Sequence, residues 1–284
     1  MPDSPDILRF SAFAATPDGG NPAGVVLDAS TFDDERMQRI AAEVGFSETA
    51  FVTESSDVDG VTHHRVRYWS PGAEVPFCGH ATVATAVALA ERDGVGEVVF
   101  DTAAGPVSLR SETDGGGAIS VSFTSVEPHV RDLDTGVRDR LLALLGVTID
   151  DIDPRYPVQE SFAGNWHPIV VIAERELFDG FRFSPVDVAA LMREQGWSGT
   201  VTVLHEVAPA QFEARNLFPV GNITEDPATG SAAASTGAYL RANGWAGGPI
   251  VIRQGAHVGR PSVLHVTIPP AGGIVVSGGA TPLI

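Results

Sequence analysis

The chain has 284 residues, of which 36 are acidic and 18 basic, for a formal net charge of −18. All 18 basic residues are arginines, so a Schiff base to pyridoxal phosphate or to a carbonyl substrate is excluded, as is a P-loop. So acidic a surface repels nucleic-acid backbones and anionic lipid, which removes both as partners. It is the balance of a protein kept soluble under heavy salt screening. Coding bias accounts for arginine in place of lysine, but not for twice as many acids as bases. Activity is therefore expected to rise with ionic strength. Initial rates across a potassium chloride series check this, and a monotonic fall from low salt contradicts it.

A length of 284 points to two domains, and 31 glycines with 20 prolines point to a strand-rich architecture with many turns. Cys78 is the single cysteine and makes no intramolecular disulfide, as expected of an intracellular chain. MPDSPDILRF has neither the basic nor the apolar region of a secretory signal. The expected location is the cytoplasm.

In chain order, two strands precede a helical stretch, MQRIAAEV (37–44). Gly45-Phe46-Ser47-Glu48-Thr49 then leads into a strand-like run, AFVTE. His63 and His64 are adjacent in the next strand-like run and point to opposite faces, a poor metal pair. EVPFCGHATVATA, from Glu74, opens a helix over Ala81 to Arg92 that is apolar or small on every side. A helix with no polar face is buried all round. The run from Ala81 to Ala90 is half the length of a membrane span. Strands on either side of the glycine turn in VVFDTAAGPVSLR follow. Gly115-Gly116-Gly117 is a hairpin turn, since no helix follows it as in a phosphate loop. TSVEPHVRDLDTG (124–136) breaks the strand pattern and marks a boundary.

The pattern then recurs. VAALMREQ, Gly196-Trp197-Ser198-Gly199-Thr200 and VTVLHE repeat the first helix, turn and strand at an offset of 151, and EDPATGSAAASTG, from Glu225, repeats EVPFCGHATVATA at the same offset. Each copy continues through a turn, ERDG or RANG, into paired strands, the second set within IVIRQGAHVGRPSVLHV. The expected fold is α+β: two pseudo-symmetric domains from an internal duplication, each a strand barrel around a central buried helix. Their boundaries fall at 1–126 and 127–284, with the last strands, from about 263 to 284, crossing back to complete the first. The loops entering the two helices contain Gly79 and Gly230, where a ligand can approach the backbone. Unpaired N–H groups and the helix dipole make each entry an anion site, and facing copies would form one cleft that suits a small carboxylate.

The copies differ where chemistry is expected. Glu48 faces Gly199, His80 faces Ser231, Val75 faces Asp226 and Cys78 faces Thr229. Each residue also has a bland reading: Glu48 as a surface charge, His80 as a capping group, Asp226 as a turn former before Pro227, Ser231 as an N-cap, Cys78 as a small buried residue. The loss of Glu48 in the second copy, and its place between a helix and a strand, favour a catalytic role.

NPAGVVLD (21–28), GFSETAFV (45–52), PFCGHATVATA (76–86), EDPATGSAAA (225–234) and QGAHVGRPS (254–262) resemble the phenazine-biosynthesis PhzF-like proteins, a family of the diaminopimelate-epimerase-like fold. The middle stretch, about 110–195, carries little of the resemblance. It implies two barrels with the active site between them, no cofactor, no metal, a homodimer, and isomerase chemistry on a small carboxylate. By resemblance Glu48 is the acid/base, His80, Asp226 and Ser231 are its polar partners, and Asn21, Ser47, Gly79 and Gly230 contact substrate. Relatives that use two opposed thiols differ from this chain, where Cys78 is matched by Thr229. Two alternatives stay open: a binding or regulatory protein on the same scaffold, and a lyase or hydrolase using the same groups.

Overall fold

The computed structural model of the protein describes residues 6–221, 223–246 and 248–283. The chain forms two compact units. The first extends to Thr124 and takes the chain back from Ser277, and the second is Ser125–Val276. Among the described residues no helix is long and apolar enough to cross a membrane.

In the first unit, β1 (Leu8–Ala12) lies antiparallel to β2 (Asn21–Val26), which runs parallel to β3 (Glu48–Val58). Between them, helix α1 (Asp34–Val44) starts at Asp33, whose carboxylate accepts from the Arg36 N–H, and ends at Gly45, left-handed at φ 71°. Its inward face, Met37, Ile40 and Ala41, packs on Val26, Phe51 and Trp69. Next come β4 (Val61–Trp69), β5 (Glu74–Val75), helix α2 (Gly79–Asp93), β6 (Glu97–Thr102), β7 (Gly105–Thr113) and β8 (Ile119–Thr124). β4 runs parallel to β6, and β6, β7 and β8 form an antiparallel meander. Every residue of α2 from His80 to Ala90 is buried. The helix touches β1, β2 and β3 as well as β7 and β8, so strands from both ends of the run wrap it. Small residues let the strands approach on all sides.

The second unit begins with β9 (His129–Asp132), α3 (Thr135–Leu144), β10 (Gln159–Phe162) and β11 (Trp166–Val171). It continues through α4 (Arg175–Gly180), α5 (Pro185–Gln195), β12 (Val201–Ala208), β13 (Gln211–Leu217), β14 (Glu225–Asp226) and α6 (Gly230–Ala242). β15 (Ile250–Gln254) and β16 (Ser262–Thr267) follow. Its pairings repeat those of the first unit: antiparallel β10–β11, parallel β11–β12, antiparallel β12–β13, parallel β13–β15, antiparallel β15–β16. Helix α6 is buried from Ala232 to Leu240 and touches β9, β10, β11 and β16. A Cβ on Gly237 would meet Ile274 at 2.8 Å and Val266 at 3.0 Å, which explains a glycine inside this helix. Gly196, at φ 69°, ends α5 as Gly45 ends α1.

Three features differ from the sequence reading. The stretch 124–136, read as breaking the strand pattern, carries β9, which pairs with β10. Its residues are mostly exposed, and an ion pair between Arg131 and Glu160 at 2.6 Å replaces the apolar alternation that announces a strand. Among the described residues, helices α3 and α4 have no counterpart in the first unit. Asp134 caps α3, and Leu141 and Leu142 join the core formed by α5, β11 and β12. The run from about 263 does not cross back: Ser262–Thr267 stays with β15 in the second unit. The return comes with β17 (Val275–Gly278) and β18 (Ala280–Pro282), and β18 lies antiparallel to β1 with Phe10 opposite Pro282.

Candidate active site

In the first unit the αL glycine at 45 turns the chain so that Glu48 opens β3 directly beside the start of α2. Five side chains meet there. His80 Nδ1 lies 3.1 Å from Asn21 Nδ2. The amide nitrogen is a donor, so Nδ1 accepts and the ring proton sits on Nε2. Nε2 is 3.3 Å from Glu48 Oε2 and 3.3 Å from Ser47 Oγ. Cys78 Sγ donates to the same carboxylate oxygen at 3.5 Å and lies 3.4 Å from His80 Nδ1. Oε2 thus collects a thiol donor and a ring donor, while the Glu48 side chain stays 17% exposed against 7% for His80. The carboxylate is fixed from within and open from without.

The loop ahead of α2 is pinned by Glu74, which receives two hydrogen bonds from the Arg67 guanidinium, at 2.7 and 2.8 Å. In the second unit the equivalent pin is Arg215–Glu225, at 2.6 Å and almost fully buried. It holds β14 and places Asp226 opposite Asn216. Glu74 and Glu225, matched in sequence, are therefore anchors of the loops. Asp226 accepts from Thr229 Oγ1 at 2.5 Å. Gln254 donates to the Asp226 carbonyl at 2.6 Å and accepts from the Thr229 N–H at 3.2 Å. Gly255, at φ 81°, has the Pro227 and Arg260 carbonyls where a Cβ would stand, at 2.6 and 2.2 Å. The QGAHVG motif thus braces the loop that enters α6. Neither Cys78 nor Thr229 caps its own helix with its side chain, so the first N–H groups of α2 and α6 keep their capacity for an anion.

Ser231, one residue into α6 after Gly230, meets a histidine that the sequence reading did not single out. His167, on β11, is fully buried, with Nε2 3.1 Å from Ser231 Oγ. Its Nδ1 meets Thr200 three ways, 2.9 Å from the N–H, 3.1 Å from the carbonyl oxygen and 3.0 Å from the hydroxyl, so one residue fixes the ring and Nε2 is held against Ser231 Oγ. Burial pushes the His167 pKa down to about 4, so the ring is neutral near pH 7. The ring occupies the place a side chain at Gly199 would take: a Cβ there would lie 2.4 to 2.7 Å from Cε1, Nε2 and Nδ1.

A pH dependence follows. The folded pKa of His167 lies below the ordinary 6.5, so the unfolded chain binds the extra proton more readily. Stability from this group is complete above pH 6.5 and is lost as pH falls towards about 4, by roughly 3 kcal/mol in all. Urea unfolding between pH 7 and 4 measures it, and His167→Gln should flatten that part of the profile.

The structure thus brings Asn21, Ser47, Glu48 and His80 together around Cys78, and Gly79 supplies the first turn of α2 beside them. It joins Asp226 to Thr229, and Ser231 to His167.

Residues 10–283 match the model of the PhzC–PhzF phenazine biosynthesis-like proteins. The chain belongs to this family. A Deinococcus radiodurans relative named as an isomerase is 35% identical over 273 residues, covering 92% of this chain and 85% of that one. The trans-2,3-dihydro-3-hydroxyanthranilate isomerase of Pseudomonas chlororaphis is 29% identical, covering 90% and 87%. The crystal structure of a Bacillus anthracis protein of the PhzF family superimposes with a TM-score of 0.83 at 26% identity, covering 98% of this chain and 96% of that one. The chain is thus an isomerase-family member with the mixed α+β fold of the PhzF proteins.

Proposed function

We propose that the protein is a cofactor-independent isomerase that moves a carbon-bound proton within a small carboxylate substrate, with Glu48 as the acid/base. The observation that carries this is the carboxylate of Glu48, steadied on one oxygen by His80 and Cys78 and open to a ligand. In the proposed cycle Glu48 takes a proton from an acidic C–H, and the electron pair delocalises towards the substrate carboxylate. Backbone N–H groups at the starts of α2 and α6 receive the charge that develops there. The Glu48 carboxylic acid then returns the proton to a second carbon on the same face, which restores the base. His80 orients the carboxylate, Ser47 and Asn21 hold His80, Ser231 donates to the substrate, and Asp226 serves as a proton relay. The reading takes both helix-entry loops to serve one substrate.

The Ser231–His167 pair invites a hydrolase reading, but a serine nucleophile needs an imidazole that can take up its proton and hold the resulting charge. Here burial pushes the His167 pKa down to about 4, so the ring is a poor base for a serine proton, and its Nδ1 faces the main chain and hydroxyl of Thr200. A fluorophosphonate probe should therefore leave Ser231 unlabelled, by intact-mass analysis, under conditions that label a serine hydrolase fully.

Solvent deuterium exchange tests the function. A panel of unsaturated hydroxy- and amino-acids, including trans-2,3-dihydro-3-hydroxyanthranilate, is incubated with enzyme in deuterium oxide and followed by NMR and mass spectrometry. Isomer formation or deuterium at carbon supports the proposal; binding with neither, across the panel, favours a binding protein on the same scaffold.

A further inference from the structure

Glu48, Cys78 and His80 offer a carboxylate oxygen, a sulfur and an imidazole nitrogen that all lie within 4.8 Å of one another. The edges of that triangle are 3.3 Å from His80 Nε2 to Glu48 Oε2, 3.5 Å from Cys78 Sγ to the same oxygen, and 3.7 Å from Sγ to Nε2. A tetrahedral zinc ion with ordinary Zn–N, Zn–O and Zn–S bonds has ligand-to-ligand edges of about 3.3 to 3.6 Å. We propose that these three side chains form a site for a thiophilic divalent cation, zinc being the probe, and that its occupation switches the enzyme off.

The chemistry of the donor set selects the ion. One thiolate, one imidazole and one carboxylate suit zinc, cobalt or cadmium over magnesium or calcium, which prefer oxygen throughout. Two protons now fill the triangle, the Cys78 S–H and the His80 Nε2–H, both directed at Glu48 Oε2. A dication replaces both. The Sγ–H bond breaks, its electron pair forms the Sγ–Zn bond, and that proton leaves to solvent. The ring proton moves from Nε2 to Nδ1, so that Nε2 can bind the metal. Rotation of the Asn21 amide then presents Oδ1 to the Nδ1–H, the usual outer partner of a metal-bound histidine. The fourth position falls to water. Metal binding at the site stands on this geometry alone; the loss of activity rests on Glu48 being the base, because the bound carboxylate can no longer accept a proton.

Untagged full-length protein, stripped with EDTA, is titrated with Co²⁺ and then Zn²⁺. One Co²⁺ per chain should bind and give a thiolate-to-cobalt charge-transfer band, which zinc then removes, with one proton released per ion. Cys78 is the single cysteine, so the band reports this site alone. Cys78→Ser should lose the band and weaken zinc binding at least about tenfold, and Glu48→Gln should keep the band with weaker affinity. Cobalt bound without a thiolate band, or Cys78→Ser protein that holds zinc as tightly as the natural chain, overturns the site. The first of these outcomes needs no variant to fold. Turnover that persists at saturating zinc overturns the switching role. The binding measurements require no turnover, so a failure of the isomerase reading is told apart from a failure of the metal site.

Discussion

Glu48→Gln should lower turnover by about two to four orders of magnitude, the usual contribution of a positioned general base. The substitution preserves shape, and an amide oxygen can accept the same hydrogen bonds from His80 Nε2 and Cys78 Sγ that Oε2 accepts now. It removes the one property the chemistry requires, a lone pair that can take a carbon-bound proton and give it back. Substrate affinity should change little, because the proposed carboxylate docking lies with backbone N–H groups and not with the Glu48 side chain. Thermal unfolding should stay close to that of the natural chain, since the Glu48 side chain is partly exposed and its contact with His80, at 3.3 Å, is one an amide can keep. The decisive measurement is the rate of isomer formation or carbon deuteration with the folded variant. A Glu48→Gln enzyme that retains its rate removes Glu48 from the role, and attention would pass to Asp226.

Gly199→Ala is the second substitution with a large expected effect, and it acts by crowding alone. The added Cβ would stand 2.4 Å from Cε1 and 2.6 Å from Nε2 of His167. That ring cannot step aside, since it is fully buried, takes the Thr200 N–H on one nitrogen and meets Ser231 with the other. Thr200 is fixed in turn, its hydroxyl donating to Asn216 at 2.9 Å. Overpacking of this kind costs about 1–3 kcal/mol, and the lost hydrogen bonds add to it. The expected fall in melting temperature is about 5–10 °C for a unit of this size. A weaker hold on Ser231 should appear as a raised KM with a smaller change in kcat. Adding His167→Ala should relieve the crowding, so the double variant is less destabilised than the two single losses combined. If the losses simply add, the ring and the glycine are not competing for one space.

How far this site can be read from sequence turns on the same pair of strands. The constant offset between the copies exposes the loss of Glu48 at Gly199. The matching gain at His167 escapes, because it occurs on the neighbouring strand, outside the stretch that aligns. In the first unit Gly24 stands opposite Thr49, and a Cβ on Gly24 would meet Thr49 at 2.6 Å. In the second unit His167 stands beside Thr200, the counterpart of Thr49. The side chain next to the helix entry is supplied by β3 in one unit and by β11 in the other. Linear comparison sees only one end of that exchange. The two buried helices were legible for a simpler reason: a run such as ATVATAVALA has no polar side to offer to water. Strand β9 was hidden because His129, Val130, Arg131 and Asp132 carry no apolar alternation and are mostly exposed, with Arg131 held by an ion pair to Glu160. The pins Arg67–Glu74 and Arg215–Glu225 show the reverse case, where matched residues turn out to hold loops in place.

The pairing of β18 with β1 bears on how the molecule is made. Phe10 leaves the ribosome early, yet its partner Pro282 is synthesised only after the whole of Ser125–Val276. The second unit is a contiguous stretch, whereas the first is closed only by residues that follow it in the chain. Until β18 pairs, strand β1 keeps an unpaired edge on the side away from β2. Glu48 and His80 reside in the unit that β18 closes, so a chain cut before Ala280 should leave that unit without its closing strand and with a strand edge available to other chains.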